Sequence, residues 1–361
     1  MAPPWFELPP VGYGGIEWMC YWLVEGLAAA GHEVLVVGAG RRQTTARFVA
    51  TFQEPQGRRL GDPIPDVLHT ALSVSPVESF APDVVHDHTL AGPLTALSRS
   101  VPTVVTAHGP VDGELGDLYG ALGHRIRLVA ISSNQRGKKP DLPWAGTVHN
   151  AIPVREYPYA PEKKEDFALF LGRMSPEKAP HLAIEVARRA GLPLVIAAKC
   201  NEKAEHRFAE EHVKPLLDQP GPGAEWIGEA DTATKKDLLA RARCLIFPIQ
   251  WDEPFGIVMI EAMACGTPVV ALRAGSVPEV VDHGTTGYVC DTLDEMVQAV
   301  HQVDAIDPAA CRRHALANFD VSTMVAGYEM VYRRAVSEHA MDRHRGALMV
   351  PSLAAEAPAL S

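Results

Sequence analysis

Short apolar runs alternate with longer segments of helical periodicity along most of the chain. In the first half these runs cover residues 34–37, 84–86, 103–106, 128–131 and 147–148. In the second half they cover residues 167–171, 194–197, 226–227, 244–248, 269–272 and 288–290. Runs of this length suit buried strands, and their alternation with helices is typical of parallel sheets wrapped by helices. The pattern therefore predicts an α/β fold.

A charged, proline-rich stretch, residues 154–166 (VREYPYAPEKKED), interrupts this alternation. Such a composition is typical of a linker. We therefore predict a first domain over residues 1–155 and a second domain over residues 156–321. Residues 322–345 have the apolar spacing of a long helix, and residues 346–361, which are small and rich in Ala and Pro, are expected to be disordered.

Length, charge and cysteine usage narrow the possible functions. The chain has 361 residues, enough for two or three domains that each bury a core. Its formal charge is 33 − 44 = −11, so no overall positive field attracts nucleic acid or an anionic membrane. No apolar run reaches the roughly 18 residues of a membrane span, and the N-terminus lacks the regions of a signal peptide. The six cysteines form no C-x-x-C pair, which favours reduced thiols in the cytoplasm.

The segment FPIQWDEPFGIVMIEAMACGTPVV combines buried strands, an apolar helix and isolated carboxylates. Residues 257–265 are too apolar for a surface helix, yet Glu261 lies among them, where an unpaired carboxylate would be unfavourable. Glu253 lies on the loop that leads to the helix N-terminus at Gly256, where free backbone N–H groups favour an anion such as a diphosphate. A phosphate site flanked by two carboxylates suits a nucleotide sugar. Alternatively, Glu253 favours only the helix dipole and Glu261 is a buried structural carboxylate.

The same segment resembles the family 4 glycosyltransferases, which are retaining enzymes with the two-domain GT-B fold. The matching patterns are E-P-F-G-x4-E, A-x-A-x-G-x-P-V-V-A and G-S-V-P-E-V-V. The resemblance covers nearly the whole chain, from Gly12 to about residue 345. It implies two Rossmann-like domains that face a central cleft, with the helix of residues 322–345 crossing back onto the first domain.

The resemblance also implies roles for individual residues at the donor site. Glu253 would contact the transferred sugar and Glu261 the ribose hydroxyls. Backbone amides at Phe255, Gly256 and Ile257 would help to hold the sugar.

A second match, G-R-x-S-x-E-K, places Arg173 and Lys178 on the loop between the strand at 167–171 and a helix predicted over 177–190. Two cations at a strand end can clamp a diphosphate through charge-assisted hydrogen bonds. The resemblance implies this role, whereas charged loops without such a pattern are usually only solvated. The turn IGEAD, which contains Gly228, loosely matches the family's nucleobase-contact position.

The glycine turn GYGG at residues 12–15 precedes a helical segment. A dinucleotide fingerprint would need a third glycine where Glu17 stands, so a dehydrogenase that uses NADP through Arg41 is a weak alternative. A plain tight turn is another. The resemblance implies instead that backbone amides of Gly14 and Gly15 approach the donor phosphate. Members of the family carry a hydrophobic strand before this turn, which indicates a late start of this chain and predicts a less stable first domain.

Histidines end two of the predicted strands. The run TVVTAHGP delivers His108 to the carboxyl end of a strand, where open α/β sheets bind ligands. The resemblance implies that His108 reaches the transferred sugar, although a histidine in this place is more often structural. His86 and His88 follow another strand and could ligate a metal, but no third, remote ligand accompanies them.

These residues predict a retaining, metal-independent glycosyltransferase of GT-B fold that needs no cofactor. The donor would be a nucleoside-diphosphate sugar, UDP- or GDP-linked, and the acceptor a hydroxyl group of a soluble small molecule or glycan. Residues 41–62 and 109–123, which contain no conspicuous aromatic platform, are expected to line the acceptor side. The alternatives are a GT-B epimerase, a phosphorylase, for which no pyridoxal phosphate lysine can be placed, and a module that binds nucleotide sugars without catalysis.

Overall fold

The computed structural model describes residues 1–348 except Tyr13 and Arg42, with side chains up to residue 341. The elements of the first half are α1 (Gly15–Ala29), β1 (Leu35–Ala39), β2 (Arg47–Phe52), α2 (Pro63–Phe80), β3 (Val85–Asp87), β4 (Thr103–Ala107), α3 (Glu114–Leu122), β5 (Ile126–Ala130), α4 (Ser133–Lys138) and β6 (Trp144–Thr147). Those of the second half are β7 (Ala168–Arg173), α5 (Pro180–Arg189), β8 (Leu194–Lys199), α6 (Lys203–Phe208), α7 (Lys214–Leu217), β9 (Ala224–Gly228), α8 (Thr232–Arg241), β10 (Cys244–Phe247), α9 (Ile257–Ala264), β11 (Val269–Leu272), α10 (Val277–Val280), β12 (Gly287–Cys290), α11 (Leu293–Gln302), α12 (Pro308–Asn318) and α13 (Val321–Leu348).

The strands form parallel sheets, and each sheet draws on one half of the chain. The second half builds a six-stranded sheet in the order β12-β11-β10-β7-β8-β9. The first half builds a four-stranded sheet, β3-β4-β5-β6, and a separate pair, β1-β2. This arrangement confirms the predicted α/β fold with parallel sheets in two separate units. The strand β2 was missed, because none of its residues is buried and its apolar run, residues 48–50, is short.

The sheet of the second half is buried on both faces. Leu169 on β7 and Leu245 on β10 are fully buried, as are Met259 and Ile260 on α9. The strands β7 and β10 are adjacent and parallel, so their carboxyl ends lie at the same sheet edge. The loops that follow them therefore emerge side by side, as open α/β sheets require for a ligand site.

A gap separates β1 from β3 in the first half of the chain. Met1 and Ala2 bridge the carboxyl ends of these strands: the Ala2 N–H donates to the Val37 carbonyl at 2.9 Å, and the His88 N–H donates to the Met1 carbonyl at 3.1 Å. A cavity of about 310 Å³, lined by residues of α1, β1, α2 and β3, extends behind Met1. The amino group of Met1 donates to the His86 carbonyl, and burial lowers its pKa. The amino group of Met1 therefore lies in a slot between β1 and β3.

The long helix α13 packs on the first half of the chain. A Cβ placed on Gly26 of α1 would lie 2.5 Å from a methyl carbon of Val325, which shows how closely the two helices approach. Tyr328, Val325 and other buried residues of α13 share a core with Val104 on β4. The helix runs three residues beyond the expected end at residue 345, and the rest of the predicted tail, residues 349–361, lies outside the described residues.

The helix α5 begins later than expected. It was predicted from residue 177 but starts at Pro180, with Ala179 in the left-handed region at φ 54°. Proline favours the first helical position, and the preceding residue is driven out of the helical region by the proline ring. Lys178 therefore lies on a turn ahead of the helix, where it can reach across to the loop after β10.

Candidate functional site

Two neighbouring strand ends supply the charged groups of the candidate site. Arg173 is the last residue of β7, and Lys178 follows on the turn before α5. Next to them, the loop after β10 carries Trp251 and Glu253 and leads into α9. Parallel pairing of β7 with β10 brings these segments together, as the sequence predicted.

Glu253 is held by a cation and an indole. Its side chain is only 10% exposed, and its Oε2 accepts hydrogen bonds from Lys178 Nζ and, at 2.9 Å, from Trp251 Nε1. The Lys178 ammonium also lies 5.3 Å from the centre of the Trp251 ring. A buried carboxylate needs such partners, because an unpaired charge in this environment is strongly unfavourable. Lys178, Trp251 and Glu253 form a unit, here called the Glu253 triad.

The backbone near Glu253 is fixed by a glycine on a neighbouring loop. A Cβ on Gly275 would lie 2.2 Å from the Glu253 carbonyl oxygen, so only glycine fits. The next residue, Ser276, donates its N–H to the same carbonyl at 2.9 Å and its hydroxyl to the Phe255 carbonyl at 2.8 Å. The pattern G-S-V-P-E-V-V thus positions the loop that carries Glu253.

Gly256 caps α9 with a positive φ of 75°. A Cβ at this position would lie 2.7 Å from the methyl carbon of Met259 and 3.4 Å from Glu253 Cγ. Glycine therefore lets the chain turn sharply from the Glu253 loop into the helix. In the first turn, the Met259 N–H donates to the Gly256 carbonyl at 3.0 Å, and the N–H groups that precede it, starting at Ile257, are suited to bind an anion.

Arg173 faces two carboxylates of its own half. Its Nη2 lies 2.8 Å from Glu177 Oε1, and its Nη1 lies 3.8 Å from Glu205 Oε1. Glu205 is buried, and this oxygen accepts no hydrogen bond. The guanidinium is therefore tethered while keeping donor groups that can turn toward a phosphate.

Glu261 has the partners that its burial requires. Its side chain is 2% exposed, and its Oε1 accepts hydrogen bonds from the Tyr157 hydroxyl at 2.8 Å and from Lys235 Nζ at 2.6 Å. Burial, together with the neighbouring carboxylate, raises the pKa of Tyr157, so the phenol stays protonated as a donor. Sequence reasoning missed both partners: Tyr157 stands in the stretch interpreted as a linker, and Lys235 is one of two adjacent lysines on α8.

The glycine turn reaches the second half of the chain at two points. A Cβ on Gly15 would lie 3.8 Å from Ile257 Cδ1, at the N-terminus of α9. A Cβ on Gly12 would lie 3.2 Å from Glu229 Oε1, next to Gly228 at the end of β9. The turn therefore extends along the edge that contains the α9 terminus and the IGEAD segment.

Gly14 makes the turn possible through an unusual backbone conformation. Its φ is 152° and its ψ is 63°, and a Cβ there would lie 2.7 Å from Pro10 Cβ. Glu17, three residues later on α1, is buried, and burial raises its pKa to about 7. No role was assigned to this carboxyl group from the sequence, yet it lies at the end of the helix that would meet a donor phosphate.

His108 belongs to a buried histidine cluster with His86 and His88. His108 Nε2 lies 2.9 Å from His88 Nδ1, and the rings of His86 and His88 are 4.0 Å apart. Burial lowers the pKa of His108 to about 4, so this ring is neutral near pH 7. His88 occupies one ring nitrogen of His108 and orients the other, a positioning role that sequence reasoning missed.

The metal alternative at His86 and His88 is not favoured by this geometry. Both ring nitrogens of His86 are hydrogen-bonded, Nδ1 to the Tyr332 hydroxyl at 2.7 Å and Nε2 to Thr106 Oγ1 at 2.8 Å. Among the described residues, no group of three or more His, Cys, Asp or Glu side chains has a geometry that could hold a metal ion.

Contacts across the cleft join the two halves near the site. Glu279 on α10 accepts hydrogen bonds from the backbone N–H groups of Ser133 and Asn134 at 2.7 and 2.6 Å, and its Oε2 lies 3.4 Å from His149 Nε2. Although burial opposes it, these hydrogen bonds lower the pKa of Glu279. The charge of Glu279 therefore holds the G-S-V-P-E-V-V segment against the first half.

Comparisons with known proteins agree on one family of enzymes. Residues 157–307 match the family model described as glycosyl transferases group 1, and residues 13–137 match the model described as glycosyltransferase family 4. The chain is 28% identical to a glycogen synthase of Mycobacterium tuberculosis over 398 aligned positions, which cover 91% of this chain and 92% of the relative. It is 31% identical to a D-inositol 3-phosphate glycosyltransferase of Mycobacterium sp. over 304 positions, which cover 73% and 68%.

Solved structures of glycosyltransferases share this fold. A glycosyltransferase involved in avilamycin A biosynthesis superposes with a TM-score of 0.67 and 26% identity, covering 92% of this chain and 93% of that one. An Anabaena protein crystallised with UDP-glucose superposes with a TM-score of 0.67, 19% identity and coverage of 92% and 97%. The solved structures share the fold of this chain, and both family models and the mycobacterial relatives are glycosyltransferases by description. The chain belongs to the family 4 glycosyltransferases of GT-B fold, as its motifs predicted, and is a glycosyltransferase.

Proposed function

We propose that this protein transfers a hexose from a UDP- or GDP-linked sugar to a hydroxyl acceptor, with retention of anomeric configuration and without a metal ion. The observation that carries the proposal is the Glu253 triad, which lies between a helix N-terminus and the glycine turn. Support for the donor class comes from the mycobacterial relatives, whose names describe sugar transfer, and from the Anabaena neighbour with UDP-glucose. The acceptor differs among these names.

The diphosphate of the donor fits between the two glycine-containing segments. The N–H groups at the start of α9, near Ile257, offer partial positive charge on one side, and the backbone of Gly14 and Gly15 approaches from the other. Arg173 and Lys178 add full positive charge at the adjacent strand end. Bidentate and charge-assisted contacts of this kind fix the orientation of a phosphate.

The two carboxylates of the E-P-F-G-x4-E motif then bind the two ends of the donor. Glu253 and His108 would bind hydroxyls of the transferred sugar, while Glu261, held by Tyr157 and Lys235, would bind the ribose. Gly228, in the open turn after β9, leaves room for the base. This assignment follows the motif and is consistent with the burial of both carboxylates.

Catalysis would rest on the cations rather than on a covalent intermediate. As the bond between the sugar and the diphosphate breaks, negative charge grows on the diphosphate, and Lys178 and Arg173 stabilise it more strongly than in the ground state. Glu253 is tied to Lys178 and Trp251, so it is not poised as a nucleophile. The acceptor hydroxyl would attack the face from which the diphosphate leaves, and the diphosphate would take its proton. This course retains the anomeric configuration.

The protein's own cations supply the charge that a bound divalent ion supplies in other phosphate-transferring sites. Activity should therefore persist in EDTA. A loss of transfer in EDTA that Mg²⁺ or Mn²⁺ restores would contradict this part of the proposal.

We place the enzyme in the cytoplasm, because all six cysteines are free thiols, five of them buried. Among the described residues, no helix is long and apolar enough to cross a bilayer.

The decisive experiment couples donor screening to product stereochemistry. Thermal-shift assays with UDP-, GDP- and ADP-sugars identify the donor, since a ligand at 100 times its Kd adds about 2.7 kcal/mol of stability. Proton NMR of the product then reads the anomeric coupling, and mass spectrometry detects any sugar adduct after incubation with donor alone. Retention without an adduct supports the proposal, whereas inversion or an adduct on Glu253 contradicts the mechanism. A non-catalytic binding module would bind the donor but neither transfer nor hydrolyse it.

A further inference from the structure

A second cavity, of about 230 Å³, lies between the two halves of the chain. Residues 110–112, which follow His108, and the helix α4 line it from the first half. Trp251, Asp252 and Pro254 line it from the loop of the Glu253 triad. The expected acceptor segment 109–123 therefore contributes to this cavity, whereas the segment 41–62 does not line it. The aromatic side chain that lines the cavity, Trp251, comes from the second half of the chain.

The cavity is continuous with the groups that would hold the transferred sugar. The Trp251 Nε1 donates to Glu253 Oε2 at 2.9 Å, so one side chain touches both places. On the other wall, the Gln135 amide donates to the carbonyls of Ala107 and Gly109, both at 2.8 Å, and fixes the backbone on either side of His108. A molecule in this cavity would lie next to the sugar that is transferred.

The size and lining of the cavity suit a small, polar ligand. Its volume is below the roughly 300 to 1,000 Å³ of pockets that take drug-sized molecules. The indole of Trp251 offers a flat apolar surface, and the side chains of Asp112 and Asn134 offer hydrogen-bonding groups. A ring with several hydroxyls uses both kinds of surface, whereas a lipid chain would leave the polar groups without partners.

The charge of the cavity is negative. Its lining contains Lys138, Asp112 and Asp252, which sum to 1 − 2 = −1. The Lys138 ammonium already pairs with Asp252 at 2.5 Å, and this contact, reinforced by the charge of Asp112, raises the pKa of Lys138. A phosphate group in the cavity would meet an unpaired carboxylate and a cation that is already neutralised. It would bind there less well than a hydroxyl group.

We propose that this cavity is the acceptor subsite and that it selects a neutral, polyhydroxylated acceptor of sugar size over its phosphorylated form. The proposal rests on the transferase activity proposed above. Asp112 is the specificity-determining residue, because its carboxylate is exposed in the cavity and gives the lining its excess negative charge.

The test compares neutral mono- and disaccharides with their phosphate monoesters as acceptors, each pair at a saturating donor concentration. The wild-type enzyme should show a kcat/KM about tenfold or more higher for the neutral member. In Asp112→Asn this ratio should fall by a factor on the order of five to ten, because one unit of nearby charge is removed. Glu114→Gln, which removes the same charge two residues away and outside the cavity, serves as the matched control and should leave the ratio unchanged.

Binding is measured separately by saturation-transfer NMR of each acceptor with UDP present, so the outcome does not depend on turnover. Stronger binding of the phosphorylated member, no binding of any neutral sugar, or equal effects of Asp112→Asn and Glu114→Gln would each overturn the subsite. Release of UDP from the donor without acceptor tests the transferase activity itself. A protein that releases UDP but prefers phosphorylated acceptors refutes the subsite and leaves the proposed function intact.

Discussion

Replacing Lys178 by Met tests whether the charge at the strand end acts on the transition state. The substitution replaces the ammonium group of the side chain, which is 18% exposed, by a slightly shorter, uncharged and unbranched thioether. We expect a large fall in kcat with a smaller rise in KM. The reason is that the diphosphate gains about one unit of negative charge as the sugar leaves, so the lost attraction is greatest late in the reaction.

The magnitude follows from the position of the ammonium. Two unit charges about 4 Å apart interact by about 4 kcal/mol at the effective dielectric constant of about 20 that suits groups near a protein surface. A charge that is half to fully developed in the transition state would thus lose about 2 to 4 kcal/mol. At 1.36 kcal/mol per factor of ten, kcat should fall about 30-fold to 900-fold, which overlaps the loss of about 10²- to 10³-fold found when one electrostatic donor is removed from an active site.

The same substitution also leaves Glu253 without its cation. Trp251 would still donate to that carboxylate, but breaking a buried pair typically destabilises a protein. Thermal unfolding of Lys178→Met and of Lys178→Met/Glu253→Gln separates the two effects. If the double variant regains the Tm of the wild type, the stability loss comes from the unpaired carboxylate and not from the site as a whole. Lys163→Met, at an exposed lysine, is the matched control for charge removal and should behave as wild type.

Initial rates over a range of donor concentrations, at saturating acceptor, give kcat and KM for each variant. An unchanged kcat with a raised KM would reduce Lys178 to an anchor that binds substrate and transition state equally. Turnover at the wild-type rate would show that Lys178 contributes nothing to the reaction.

Further predictions concern affinity and stability. Glu261→Gln should weaken UDP binding about tenfold, because a charge-assisted contact to the ribose is lost. Tyr157→Phe, which keeps the carboxylate, should have a smaller effect. If calorimetry gives the wild type and Glu261→Gln the same affinity for UDP, Glu261 has only a structural role. Burial raises the pKa of Glu17 to about 7, so the contribution of this carboxyl group to stability falls as the pH rises from about 4.5 through 7. Glu17→Gln should therefore raise Tm at pH 8 but not at pH 5, and the same shift of Tm at both pH values would contradict this. In the histidine cluster, burial lowers the pKa of each ring below 6.5, so the contribution of the neutral rings to stability is complete above about pH 6.5 and is lost toward pH 4. Tm should therefore fall between pH 7 and pH 5, and a constant Tm over this range would refute the prediction. Joining about five apolar residues to the amino group of Met1 should raise Tm by several degrees by filling the slot between β1 and β3, and a Gly/Ser extension of equal length should not.

The fold could be predicted where apolar runs are continuous. The strand at Val269–Leu272 was placed correctly to the residue, because its residues form one continuous apolar run, mostly buried, and both its ends are marked by turn residues. The edge strand Arg47–Phe52 could not be found in this way, since its apolar run of residues 48–50 is short and all its residues are half-buried or exposed. The start of α5 shifted because Pro180 fixes a helix start that periodicity alone extends too far.

The site was predicted as a set of motif residues but not as a set of contacts. Sequence placed Glu253, Lys178 and Arg173 at neighbouring strand ends. It could not show that Lys178 pairs with Glu253 while Glu177 pairs with Arg173, because the order of residues does not say which carboxylate faces which cation. Trp251 stands two residues before Glu253, yet its role depends on a rotamer that brings Nε1 back to the carboxylate, and spacing carries no information about that.

The contacts explain how such a charged site can exist without its ligand. Lys178 is neutralised by Glu253, Arg173 by Glu177, and Lys235 by Glu261. Three cations left together and unpaired in a partly buried cleft would repel one another, and their desolvation would be unfavourable. In the proposed donor complex, the diphosphate would share Lys178 and Arg173 with these carboxylates, and the desolvation cost of both cations is already met. Glu253 and Glu261, still held by their partners, would accept hydrogen bonds from sugar and ribose hydroxyls. A ligand with phosphate alone would leave the carboxylates without hydroxyl partners, and a ligand with hydroxyls alone would leave the cations without phosphate, so the arrangement favours an intact nucleotide sugar over its fragments.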